Sequence, residues 1–403
     1  MKHRDPRSDS DVTLAEFSAA ELRDADLRLC PKIVFVTCVY AAQGVVPGLS
    51  LNALVDFYSN QGLPLSRTAT MYFWIGVPWM LSFVWGPVID NVTLGRLPRR
   101  GGWLLATGVA GTAALGLLAT VSDATVSLQW ITGVLVIHSV AASIIDATTD
   151  ALVIEMTSEN DIPRLHAWGR GGFVGGTALS ALVTAGMLPR YDFRMVAASI
   201  VAAWAAALLV AAAVYRIGWE GVVDPDDAET RGYAGELRRR LFSRRSVVTA
   251  GAGAAAFGAY TVLKLAANFY LAEAADGLFE NGVATFTQLR SGINLAMTAA
   301  VVVLASKVFP HLTLGRQTWV TAAAAAVMAV VGGVVIAGWI SVTSTVVFSS
   351  LTEGIRLLLY LTACRHFATL SVPLTAGAQF TTYMALINAS DIVSARLAGW
   401  WTG

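Results

Sequence analysis

Charge is what this sequence has least of: aspartate, glutamate, lysine and arginine make up 14% of its 403 residues, against 55% that are hydrophobic. A water-soluble chain of that length divides into domains with charged surfaces and polar loops, and here there is almost no room for either. Cysteine is nearly absent too. The spacing of Cys30, Cys38 and Cys364 fits neither a zinc cluster nor a disulfide framework, so no metal, cofactor or redox role is expected. A phosphate-cradling P-loop is missing, and ATP-driven work would need a separate subunit. Nothing pairs a nucleophile with a base, so an enzyme is not expected. The arginine runs sit where membrane topology explains them, which leaves no case for a nucleic-acid partner. The formal net charge of +1 says less than the places where the charges lie.

What is there is apolar sequence in long runs, with a mean hydropathy of +0.60. Windows of about 19 residues pick out eleven segments, at 33–58, 68–89, 102–121, 127–157, 164–187, 192–216, 247–272, 279–307, 318–339, 341–364 and 375–400. Each is long enough to cross a bilayer as a helix. Residues 1–32 mix both charges without an apolar signal-peptide core, and read as a cytosolic tail. The loops on that same side collect Arg96, Arg99, Arg100, Arg164 and the run Arg231, Arg238, Arg239, Arg240, Arg244 and Arg245, while the other side holds Arg67, Arg190, Arg194 and an acidic turn with Glu273, Asp276 and Glu280. An excess of arginine marks the cytosolic side, so the amino terminus is expected inside. The expected layout is a six-helix bundle at 33–217, a basic cytosolic linker at 218–246 and a second bundle of five spans at 247–403. Two such halves are how many secondary transporters are built. The chain stops at Trp400-Trp401-Thr402-Gly403 just as its eleventh span ends, which reads as a twelve-span design without its last helix, a natural eleven-span protein being the alternative.

A charge at the centre of a membrane helix costs about 2.5–3.5 kcal/mol on insertion measurements, so such groups are paired or line a watery path. The stretch S143-I-I-D-A-T-T-D-A-L-V-I-E155 carries three acids. At about 100° per residue, Asp146 and Asp150 share a face with Ser143, and Glu155 points nearly opposite, toward the expected headgroups. The next span opens H166-A-W-G-R-G-G-F-V-G-G176, with Arg170 more than a turn inside, in reach of the aspartates, and glycines that permit close helix approach. Either Asp146, Asp150 and Arg170 form a structural ion pair, or they handle protons or substrate. Further along, Lys264 and Arg290 interrupt apolar sequence and are candidates to hold an anionic solute, unless they snorkel to an interface. Glu353 and Arg356 at i, i+3 can satisfy one another. His138 relays protons or simply bonds a neighbouring helix. Trp79 in the second span stacks on solute or packs.

The segment G86-P-V-I-D90 with Arg99 and Arg100 after it resembles the first cytosolic loop signature of the major facilitator superfamily, with an insertion before the arginines and Asn91 where a basic residue is common. That loop latches the two halves together, which implies that Gly86, Asp90, Arg99 and Arg100 gate conformation rather than touch solute. Tyr40–Leu51 (YAAQGVVPGLSL), W79-M-L-S-F-V-W-G-P-V-I-D90, R99-R-G-G-W-L-L-A-T107, D146-A-T-T-D150 with Glu155, Gly169-Arg170-Gly171, Lys264-Leu265, Arg290 and T381-T-Y-M-A-L-I-N388 are together similar to AmpG-type muropeptide permeases and their acetyl-CoA transporter relatives, over nearly the whole chain. Ser82 stands where that pattern has lysine, Ala267 where it has an acid, and Arg290 where it has lysine. Siderophore permeases are similar to the same branch. The resemblance implies an all-α membrane protein of the major facilitator fold, two helical bundles with about eleven spans seen of a twelve-span design. It also implies a monomer in the bacterial inner membrane that imports an amphipathic, muropeptide-like solute with protons, its partners being that solute, protons and the lipid bilayer. Lys264, Arg290, Gln43, Trp79 and Glu353 are the expected solute contacts, and Asp146, Asp150 and Arg170 the expected proton-coupling group. A siderophore or acyl-CoA permease, or a non-transporting membrane assembly protein, are the alternatives.

Overall fold

The computed structural model describes residues 19–63, 65–94, 96–158, 161–218, 233–276, 282–338 and 342–402; within the helices, the side chains at 19–28, 263–276, 282–291, 332–338, 342–346 and 395–402, and those at 56, 59–60, 65–66, 156, 216–218 and 349, lie outside the description. Among the described residues all regular structure is helical. The first half contains α1 (Ala19–Gly48), α2 (Leu54–Asn60), α3 (Leu65–Met80), α4 (Ser82–Asn91), α5 (Arg99–Gly116), α6 (Leu128–Met156), α7 (Ile162–Met187) and α8 (Phe193–Gly218). A short helix in the linker, α9 (Tyr233–Leu241), leads to α10 (Arg244–Asp276), α11 (Gly282–Val308), α12 (Leu314–Gly338), α13 (Val342–Leu370) and α14 (Ala376–Thr402).

Over its described residues, each of the eleven apolar segments falls on one of these helices or on a pair joined end to end. Seven described stretches pass a length and hydropathy test for crossing a membrane, and eight if the pair Ser350–Leu370 and Pro373–Ser394, bent by 114°, counts as one. The long, polar-spotted α7 is outside that set, diluted by Arg170 and its glycines. Of its polar side chains, His166, Ser180 and Thr184 are buried in the protein.

Local chemistry explains the breaks. Proline removes an N–H and its ring pushes on the carbonyl four residues back, which loosens the span around Pro78 and Pro87; the turn that divides it lies at Leu81, between the two prolines. After Pro47, α1 loosens into a π-helical turn at Leu49–Ala53, where the Asn52 amide donates to the Pro47 carbonyl at 3.2 Å. The α13–α14 corner is tied by Gln379, whose side-chain oxygen accepts the Val372 N–H at 2.9 Å and the Thr375 hydroxyl at 2.8 Å.

In the first half α1 packs on α7 and α8, α5 on α6 and α8, and α3 and α4 on α6; in the second, α13 packs on α10, α11 and α12, and α14 on α10. Helices attract weakly in lipid, so close backbone approach through small residues supplies much of the contact. A methyl group on Gly172 would strike the Thr37 carbonyl, and one on Gly176 the Ala41 carbonyl, which is why α7 can lie flush against α1. The halves meet along two seams, α14 against α3, α4 and α6, and α7 against α11 and α13. Every site described below lies on or beside one of them.

Candidate functional site

At the end of the bundle that carries the linker, Asp90 closes α4. A carboxylate at a helix C-terminus faces unpaired carbonyls and needs compensation from elsewhere. It finds three donors from three elements: Arg100 Nη2 of α5 at 2.8 Å to Oδ1, the Ala378 N–H of α14 at 2.8 Å and the Tyr233 hydroxyl of α9 at 3.0 Å, both to Oδ2. Ala378 lies in the first turn of α14, so Asp90 occupies the positive end of that helix. Arg100 is 2% exposed and spans further, donating from Nη1 to the Ile89 carbonyl at 3.0 Å and from Nε to Glu155 Oε2 at 3.2 Å, with Nη2 against Glu155 Oε1 as well. Arg99 donates to the Asp90 backbone carbonyl and stands 3.6 Å from Glu155. Gly86 makes the α4–α14 contact possible: a Cβ there would sit 2.5 Å from the Ala378 Cα and 2.5 Å from Thr381 Oγ1. Burial and the Asp90 charge push the Tyr233 phenol well above its ordinary range. On the exposed side of α9, Arg240 and Arg239 hold the Glu236 carboxyl below its usual value.

Deeper in, a second set surrounds Asp150. The Tyr40 hydroxyl of α1 donates to Asp150 Oδ1 at 2.5 Å, and His166 Nδ1 of α7 stands 3.8 Å from the same oxygen. Asp150 is 2% exposed and His166 6%. Asp146, one turn away on the same face of α6, is only half-buried. Among the described residues no ion pair within 4.0 Å joins Arg170 to either aspartate. The Arg170 charge still acts on Asp146 from beyond that distance, and its guanidinium lies 4.5 Å from the Phe173 ring and 4.3 Å from that of Tyr360, a residue of α13 in the other half. Gln43, 1% exposed on α1, has neither amide atom paired.

A third set lies on α13 and α14. Arg356 reaches Asp391 at 3.1 Å and Glu353 at 4.0 Å and lies 5.1 Å from the Phe257 ring, while Asp391 accepts the Thr261 hydroxyl at 2.6 Å. These three charged side chains keep 19–25% exposure inside the bundle.

The structure thus brings Gly86, Asp90, Arg99 and Arg100 together, puts Asp146 and Asp150 on one face, and sets Arg170 on aromatic rings. Trp79 meets α14 through its carbonyl, which accepts the Asn388 amide at 3.4 Å. Glu353 has Arg356 at the expected i, i+3 spacing. His138 packs edge-on to Trp204, centroids 4.4 Å apart, with neither nitrogen bonded. The side chains of Lys264 and Arg290 fall outside the described residues. Sequence reasoning missed Tyr40, His166, Tyr233 and Asp391 as partners, and did not pair Glu155 with Arg100. Asp391 was legible, as an acid inside an apolar span; Tyr233 was not, because nothing local joins a linker tyrosine to a residue 143 positions earlier. Among the described residues, no group of three or more histidine, cysteine, aspartate or glutamate side chains is placed to hold a metal ion.

A bacterial homologue of the iron transporter ferroportin, solved facing outward, matches 94% of this chain and 92% of its own with a TM-score of 0.59 at 14% identity. The human organic anion transporter MFSD10 (TETRAN) matches 93% of this chain and 94% of its own with a TM-score of 0.62, also at 14% identity. At such identity the likeness carries the fold alone: the major facilitator fold. The profile of the BT1 family matches residues 43–342. The chain belongs to the BT1 family and is a multi-pass membrane transporter built on the major facilitator fold.

Proposed function

We propose that this transporter imports an amphipathic solute of the muropeptide kind into a bacterial cytosol, across the inner membrane, with protons moving alongside. The observation that carries this reading is Asp150: a buried carboxyl with a phenol and an imidazole as its partners and no lysine or arginine within 4.0 Å among the described residues. Such a group takes up and releases a proton without breaking a salt bridge to a fixed cation. Asp146, half-buried one turn away, is the entry step, and the Tyr40 hydroxyl orders the pair. The unpaired Gln43 amide and the ring-backed Arg170 offer hydrogen bonds and charge to a polar head. The Glu353–Arg356–Asp391 triad offers both signs of charge, and Tyr360 and Trp79 offer apolar surface. Lys264 and Arg290 remain solute contacts in this reading.

The linker end, rich in arginine, faces the cytosol. Asp90, Arg99, Arg100 and Glu155, with Gly86 admitting the α4–α14 contact, form the latch that keeps this end shut while the opposite end admits solute and proton. Opening then exposes Asp150 to the cytosol for release, which is alternating access around a fixed site.

The experiment is uptake by proteoliposomes offered labelled anhydro-muropeptide, acyl-CoA and a ferric siderophore in parallel, with and without an uncoupler. Muropeptide uptake abolished by the uncoupler is the expected result. Uncoupler-sensitive uptake of one of the others reassigns the solute, and no uptake of any supports a non-transporting assembly role.

A further inference from the structure

Asp150, His166 and Phe380 form a line from the first half of the molecule into the second. The His166 ring lies flat on the Phe380 ring of α14, centroids 5.4 Å apart and planes 16° apart, while its Nδ1 edge faces Asp150 Oδ1 at 3.8 Å. Its Nε2 has no partner, though the residue is 6% exposed and buried polar atoms are nearly always bonded. The ring is therefore held by the Asp150 charge on one edge and by Phe380 on one face. Two residues before Phe380 is Ala378, whose N–H holds Asp90 at 2.8 Å. Both the carboxyl cluster and the latch thus bear on the first turns of one helix.

We propose that His166 is a positioning residue that ties the protonation of Asp150 to closure of the linker-end gate. This rests on Asp150 as the proton carrier. With Asp150 as carboxylate, its charge orients the Nδ1–H edge of His166 and keeps the ring parallel to Phe380. A proton added to the carboxylate stays there as a carboxyl O–H and removes the charge; His166 gains none. The imidazole then has no polar anchor and turns its open nitrogen toward water. Phe380 loses its stacking partner, and α14 loosens beside the residue that holds Asp90. The titratable and charged groups facing this pocket are Tyr40 from α1, Asp146 and Asp150 from α6, Arg170 on α7 itself, and Tyr360 and Cys364 from α13. From α14 comes the uncharged Phe380. Of the acids, Asp150 alone stands within 4.0 Å of His166.

Hydrogen–deuterium exchange of residues 376–384 in the full-length protein in nanodiscs, corrected for intrinsic rates and read from about pH 5 to about pH 8, tests this without knowledge of the solute. Wild type is expected to exchange this segment about tenfold faster at the acid end. Asp150→Asn should be fast at every pH, and His166→Phe slow at every pH, since the stack survives without its tie to Asp150. Phe380→Leu, breaking the stack from the other side, should be fast and nearly flat, an independent check should His166→Phe not fold. If Asp150→Asn flattens the profile but His166→Phe and Phe380→Leu both keep the wild-type step, the role of His166 is wrong and the proton reading stands. A flat wild-type profile that Asp150→Asn leaves unchanged overturns both.

Discussion

Asp90 accepts from α5, α9 and α14 at once, so its charge is shared among elements that must separate when the linker end opens. Breaking a buried ion pair by neutralising one member costs about 3–5 kcal/mol. Because Arg100 keeps Glu155, Asp90→Asn belongs at the lower end, shifting the gate toward open by about a hundredfold. Spin-label distances across the α4–α14 seam, longer in the variant, are the check. Gln43 is a different case, buried with both amide atoms unpaired. Gln43→Ala should raise KM for the solute by about tenfold and leave kcat nearly unchanged, the mark of a contact made equally in ground and transition states. Uptake kinetics decide it. At this level the sequence was legible where a charge interrupts apolar residues. Asp146, Asp150 and Arg170 stood out in that way and Asp90 through a loop resemblance, but partners with common side chains did not. Tyr40 and His166 look ordinary until the fold sets them around Asp150.

Between α4 and α14 the packing leaves no room at Gly86, where a Cβ would stand 2.5 Å from backbone. Overpacking of this kind costs about 1–3 kcal/mol, so Gly86→Val should hold the seam apart and expose α14 to a thiol reagent at an introduced surface cysteine, with the fold kept. The linker helix α9 makes a gentler prediction. A phenol whose folded value is raised keeps its tether below the ordinary tyrosine value of about 10 and loses it only as pH climbs through the higher folded one. The Tyr233 contact with Asp90 is therefore insensitive to pH across the neutral range, and Tyr233→Phe should weaken the latch by about 1 kcal/mol at all those values alike. A loss confined to one side of neutrality would contradict it. Glu236 is lowered instead, so its pairing is present above its ordinary value and fades only in acid; exposed as it is, it contributes little. The helices themselves were legible from apolar length. The turn at Leu81 and the π-helical turn after Pro47 were not legible that way, since apolar length runs straight through both. What periodicity did not reveal is that α7 presents glycines to α1, and Arg170 to a ring of the second half. Such pairing is decided by which helices become neighbours.

Across the whole molecule, the two halves touch along α14 and α7, the same helices that carry the latch contact and the carboxyl cluster's histidine. Long-range seams of this kind leave no trace in local patterns, which is why the two-bundle layout was readable from the polar linker while the contact between the bundles was not. The account stands on protons moving with solute through Asp146 and Asp150. The measurement that bears on it most directly is solute-driven proton movement into liposomes loaded with a pH-sensitive dye and no imposed gradient, for wild type and for Asp146→Asn/Asp150→Asn. Internal acidification on adding solute, abolished in the double variant, is the predicted result. Solute entry without any pH change in wild type, or equal entry by the double variant with and without a proton gradient, would contradict it.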